Sequence, residues 1–359
     1  MKKIEKNITL IGAVLVMAVC ALFVSGIPQS IVIAENIGDY SVSAAEYKLY
    51  YYWEYYDYIS EHADEDLTSQ GLYTNSKLHK QESPYGMSWD EYFNMLAKET
   101  LQEEIILCDV AKNGGYVLSE EGIEELEKEK ESIAQQTEEC GLSSEEKYLK
   151  KVYSSAVTPE LYYEAYERSL LAKEYKNILL DSISITQDEL EEYISENEIE
   201  DEGYAADVVI ILINAESDRY TGEVTERQME NLKIRCENIL EKFYEMGNKQ
   251  SNFEELAAAY SQEEDVSVTR GVKKELMNDK YPEAVCDWYS DENRISGDIT
   301  TVIDNTTAYI IYYINQGDKI SNIKAETALK QELYEEYLQS KKEQYPIGEK
   351  ELGMLIAKL

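Results

Sequence analysis

Histidine is almost missing from this 359-residue chain, which contains two, His62 and His79, and neither stands near a cysteine. The five cysteines show no CxxC spacing, and nothing else supplies a ligand set for a structural zinc. Basic residues are also scarce: 34 Lys and Arg face 72 Asp and Glu, a formal charge of −38. Phosphate backbones need basic patches, so nucleic acid is excluded as a partner. So much acid reads first as a solvated surface that keeps the chain soluble. There is no glycine-rich phosphate loop and no HExxH pattern, so no nucleotide, metal or other cofactor is expected.

Long apolar runs are missing too, with one exception. Ile8 to Val24 carries no charge and follows Lys2, Lys3 and Lys6. A basic flank before an apolar stretch reads as an export signal that places the rest of the chain outside the cytoplasm. At about 17–19 residues the run is short for a bilayer span and long for a signal core. Both an uncleaved membrane anchor (residues 8–24) and a cleaved signal peptide stay open, with the anchor preferred. Cys20 lies in this run, but Val19 stands where lipidation needs a small residue, so lipidation is disfavoured. Cys108, Cys140, Cys236 and Cys286 read mainly as small buried hydrophobes. A disulfide outside the cell is open, but spacing cannot pair them.

Beyond the run, residues 31–52 begin as a short strand, turn at Gly38-Asp39 and enter a helix near Ser43. Tyr47, Tyr51, Tyr55 and Tyr58 share one face of that helix, with Trp53 and Tyr56 beside them. Core packing is the preferred role for this stripe, and a client-binding surface the alternative. Residues 62–87 read as a polar, mobile loop that also holds both histidines, which are assigned no role. Helices are expected from Ser88, with a Ser88/Glu91 capping box, to Gly114-Gly115. Others follow Ser119, Thr158-Pro159 and the Thr186/Glu189 capping box.

The pattern changes at Gly203. Residues 203–218 read as a β-branched strand, and Thr225–Gly247 as an amphipathic helix with Met229, Leu232, Cys236, Ile239, Leu240 and Phe243 on one side. A shorter helix carries Phe253, Leu256 and Tyr260. An acidic loop, a short helix near 281–289 and strands at 299–303 and 308–314 follow, before helix resumes from Lys324 to Gln344 and from Glu349. That order describes an α+β fold.

The segments SNFEELAAAYSQEEDVSVTRG (251–271) and YPEAVCDWYSDENRISGDITTVIDNTTAYIIYYI (281–314) resemble the parvulin (PpiC-type) peptidyl-prolyl isomerase domain of the PrsA and SurA foldases. The resemblance spans about 203–317. It implies an α+β parvulin-like domain at 203–317, inserted into an all-helical chaperone domain built from 30–200 and 320–359, with residues 1–29 as signal or anchor. In that family two histidines and an acidic or cysteine residue crowd the prolyl bond, while Met and Phe receive the ring. Carried over, the histidine positions are Ile210 and Tyr309, and the acidic position is Glu263 or Glu264. The proline pocket falls at Met277 and Tyr281, with Tyr309 also facing substrate. The glycine-rich "GDLG" turn has become Gly271-Val272-Lys273-Lys274.

Both family histidines are therefore replaced. Rotation about a prolyl bond faces a barrier of about 18–20 kcal/mol, and catalysis needs groups that stabilise the twisted amide. The expectation is a membrane-associated chaperone binding unfolded exported polypeptides, with a weakly active or inactive parvulin-like domain. An active isomerase using Tyr309 and a cell-envelope assembly protein with one dedicated partner are the alternatives.

Overall fold

The computed structural model describes residues 27–63, 65–217, 222–277 and 280–358. The apolar run 8–24, with Cys20, lies outside the described residues. Among those described, no helix is long and apolar enough to cross a membrane.

The elements in chain order begin α1 (Ile27–Ile31), β1 (Ile33–Ile37), β2 (Tyr40–Ser43), α2 (Ala44–Glu61), α3 (Trp89–Asn113) and α4 (Glu120–Glu139). They continue with α5 (Glu145–Val152), α6 (Pro159–Ser182), α7 (Gln187–Glu196), β3 (Tyr204–Asn214), α8 (Glu226–Glu245), α9 (Gln250–Tyr260) and α10 (Val266–Thr269). The remainder are β4 (Val272–Leu276), α11 (Glu283–Tyr289), β5 (Ile299–Asp304), β6 (Thr307–Lys319), α12 (Ile320–Lys342), β7 (Ile347–Glu349) and α13 (Glu351–Ala357). The fold is α+β, and the described residues form two compact units: those up to 184 together with those from 332 onward, and those from 185 to 331.

In the first unit local chemistry sets the helix starts. The Ser43 hydroxyl accepts the Glu46 N–H at 3.1 Å. Ser88 and Glu91 complete a reciprocal capping box that opens α3, and Thr158 caps α6 with proline at its first position. Each such cap stabilises by about 1 kcal/mol. Core packing sets the rest. Tyr47 and Tyr58 are buried, Tyr51, Trp53 and Tyr55 half-buried, and Tyr56 is exposed, so the tyrosine stripe is mostly core. Tyr50, which that stripe omits, is fully enclosed.

The unit expected to be all-helical also carries an antiparallel three-stranded sheet, in the order β2-β1-β7. The turn at Gly38-Asp39 joins two paired strands rather than a strand and a helix, with Ile37 opposite Tyr40. The C-terminal β7 then pairs with β1, with Glu35 opposite Glu349. The described residues of 62–87 hold two short 3-10 turns, Leu67–Gln70 and Leu78–Lys80, and are pinned. Leu72 is buried, and the Gln81 side chain bonds the Tyr73 backbone at both N–H and C=O. His62 ends α2, stacked on Tyr58 with ring centroids 4.1 Å apart, whereas His79 is exposed.

The second unit is built on a four-stranded antiparallel sheet, β4-β3-β6-β5. Its central strands alternate between two cores, as period-2 side chains must. Val209, Ile211, Ile213, Ala308, Ile310 and Tyr312 face α8 and α9, meeting Leu232, Phe243 and Phe253. Val208, Ile210, Ile311 and Tyr313 face the other way, toward Leu276 and the Val285, Cys286 and Tyr289 of α11. β4 occupies the stretch read as an altered turn, and α10 interrupts the acidic loop. Cys108, Cys236 and Cys286 are buried and unbridged, and Cys140 is exposed and unbridged.

Candidate functional site

The face of the second sheet that carries α11 also carries the positions singled out in the sequence. Leu212 pairs with Tyr309 and Ile210 with Ile311, so Ile210 and Tyr309 project on one side, two pairs apart along the strands. Their environments differ sharply. Ile210 is fully buried, while Tyr309 is half-buried and lines an open groove of about 550 Å³ with Leu212, Asn214, Glu263, Glu264 and Lys273. Ile210 thus belongs to the core beneath the groove.

The turn before β4 is what brings the acidic loop onto this face. Gly271 adopts φ +76°, and a Cβ there would stand 2.6 Å from the Ile210 carbonyl oxygen, so only glycine fits. The Gly271 carbonyl in turn accepts the Ile210 N–H at 2.9 Å. Two residues on, Lys273 pairs with Val208 across the strands and shares its face.

From there the Lys273 ammonium reaches Asp265, donating at 2.8 and 2.9 Å, and stands 3.2 Å from Glu263 Oε2. The other Glu263 oxygen accepts from the Tyr281 hydroxyl at 2.6 Å. Tyr281 meets Tyr309 edge to face, with ring centroids 5.8 Å apart. Burial pushes the Tyr281 hydroxyl above the usual phenol range, and the bond to Glu263 pushes it further. Burial also raises Tyr309, with Asp304 and Glu263 adding to it. Burial alone would lower Lys273, but its bonds to Asp265 and the Glu263 charge more than offset that and raise it. At neutral pH the groove therefore holds two neutral phenols beside a lysine committed to two carboxylates.

Glu264 is exposed at the groove edge. Met277 is half-buried, and its carbonyl accepts the Tyr289 hydroxyl at 2.8 Å. The structure thus brings Tyr281, Tyr309 and Glu263 together, leaves Glu264 on the rim and buries Ile210. Sequence reasoning missed Lys273 and Asp265. Their one signal was the lysine pair where the family turn has leucine and glycine, and pairing across eight residues is invisible until β4 folds back.

Chemically, the arrangement offers an aromatic edge suited to a proline ring or an apolar side chain, and a phenol that can donate one hydrogen bond. It offers no imidazole, and the one carboxylate at its centre is already engaged. Among the described residues no cluster of His, Cys, Asp and Glu could hold a metal ion.

No family model and no curated protein matches this chain. Solved structures do. PrsA from Bacillus subtilis shares 19% identity over 77% of this chain and 88% of its own, with a TM-score of 0.32. One of two related SurA-like chaperone structures from Campylobacter jejuni shares 10% over 89% of this chain and 99% of its own, with a TM-score of 0.30. The foldase protein PrsA from Lactococcus lactis shares 9% over 91% and 97%, with a TM-score of 0.33. The solved structures that this chain resembles are thus PrsA foldases and SurA-like chaperones, at identities and TM-scores that leave its own activity to be argued from its residues.

Proposed function

We propose that this chain is an extracytoplasmic folding factor that binds unfolded exported polypeptides, tethered at the membrane through residues 8–24, and that its parvulin-like unit binds extended segments without efficient prolyl isomerisation. One observation carries the reading. At the positions where the family keeps two histidines stand a core isoleucine, Ile210, and a phenol, Tyr309, and the adjacent Glu263 is held by Tyr281 and Lys273. Isomerisation requires groups that bind the twisted amide more tightly than the planar one. A carboxylate engaged in this way cannot switch partners for it without losing the Tyr281 hydrogen bond or the Lys273 ion pair. What remains is an aromatic, open groove, adequate for low-affinity contact with an extended chain that must later be released.

A specific observation keeps the isomerase reading in play: no hydrogen bond to the Tyr309 hydroxyl is found among the described residues, so that donor faces the groove uncommitted. The test uses residues 30–359 in two assays side by side, cis/trans isomerisation of a proline peptide and suppression of aggregation of an unfolded client. Holding without isomerisation is expected. Clear isomerisation that collapses in Tyr309→Phe overturns the binding-only reading and assigns that phenol as the donor.

A further inference from the structure

The first unit contains a cavity of about 720 Å³ where the β1–β2 turn, α3, α6 and the segment following α12 converge. That volume is in the range of clefts that enclose a small ligand, enough for a few side chains of a chain in transit and far too little for a folded domain. Its lining is mixed, and Ile37, Ile105 and Leu171 supply buried apolar side chains to it. Acidic residues outnumber basic ones among its exposed lining residues. Asp39, Asp109, Glu164 and Glu167 are all exposed there.

Two cations share the lining, and they differ. Arg168 is spoken for: it is ion-paired to Glu46, donates to Tyr40 at 2.6 Å and to Tyr50 at 3.1 and 3.2 Å, and leans over the Tyr40 ring. Lys112 is exposed and, among the described residues, has no side-chain hydrogen bond or ion pair. Among the described residues Asp39, Glu164 and Glu167 show no hydrogen bond or ion pair through their side chains, while Asp109 accepts from Tyr345 and Asn113. Four carboxylates thus line the cavity beside the Lys112 ammonium. A basic occupant would relieve that repulsion, whereas an acidic one would add to it.

Resting on the client-binding reading above, we infer that this cavity receives extended polypeptide segments in which basic and apolar side chains alternate, the apolar ones against Ile105 and Leu171 and the basic ones at the acidic rim. The charge sets which clients are preferred. In an extended strand successive side chains point to opposite sides, so alternation presents both sets at once.

The experiment uses the full chain in mild detergent and fluorescent peptides of about eight residues, alternating Lys-Leu, Glu-Leu or Lys-Ser, with binding read by anisotropy. The expected order places Lys-Leu at least about tenfold tighter than either of the others. The double variant Glu164→Gln/Glu167→Gln weakens Lys-Leu binding by about fivefold, as does raising salt to about 0.5 M. The exposed pair Glu120→Gln/Glu121→Gln on α4 leaves it unchanged. Glu-Leu binding as tight as Lys-Leu, or a rim variant indistinguishable from the α4 control, overturns the inference. Aggregation suppression measured on the same samples separates the two readings. Holding that survives with no rim effect sinks only this site, whereas rim-dependent peptide binding with no holding sinks only the chaperone function.

Discussion

Glu35 is fully enclosed in the middle strand of the terminal sheet, and neither of its carboxylate oxygens has a hydrogen-bond partner among the described residues. Burial pushes its carboxyl up from 4.5 to about 7; Lys98 on α3 pulls the other way, and Glu349 on β7 and Glu46 on α2 add to the rise. The folded chain therefore keeps a proton that the unfolded chain has already released between about pH 4.5 and 7. Stability is fully present at the acid end of that window and falls as pH rises through it, by at most about 3 kcal/mol for a shift of this size. Glu35→Gln is expected to flatten this slope in urea melts taken at pH 5, 6, 7 and 8; an unchanged slope assigns it to other groups. None of this was legible beforehand, because a glutamate in IAENI reads as the solvent side of a strand. The groove residues show the same limit. Tyr309 and Glu263 could be placed by resemblance, but the bond from Tyr281 that immobilises Glu263 could not.

Helices were far more readable than short strands. The Ser88/Glu91 pair marked the start of α3, and both of its bonds form, because a capping box depends only on residues three apart. By contrast VKKEL and IGE, which become β4 and β7, are too short and too polar to show periodicity. They are strands because β3 and β1 present open edges beside them. α13 shows how tightly the terminal sheet is built. A Cβ on Gly353 would stand 1.8 Å from the Ile33 carbonyl oxygen, so helix and strand touch backbone to backbone. Gly353→Ala must push α13 off β1, at about 3 kcal/mol or more. Thermal melts should record this loss, with amide exchange accelerating at residues 35–37, where β7 pairs. An unaffected melt would mean that the close approach is relieved without consequence.

The chain's organisation leads to a prediction of its own. Residues 185–331 form a compact unit with two cores of their own flanking one sheet, and 332–359 return to complete the first unit. A protein of residues 185–331 is expected to fold alone and to unfold cooperatively in urea, seen by circular dichroism and tyrosine fluorescence together. Non-coincident transitions would show that this sheet needs the rest of the chain. Holding activity, on the function proposed above, should be weaker in this fragment than in residues 30–359, since the rim-charged cavity lies in the other unit.

By itself the sequence determined the acidic character of this protein, its α+β order and most helix starts, because charge, periodicity and caps act over a few neighbouring residues. It also determined that no imidazole pair could serve a prolyl bond. Only the tertiary structure decided that β1 and β7 meet in one sheet, that Ile210 is core, that Lys273 closes on Glu263 and Asp265, and that four carboxylates gather round one cavity. These features join residues from separate segments of the chain, and their energies come from burial and strand pairing that no local pattern encodes.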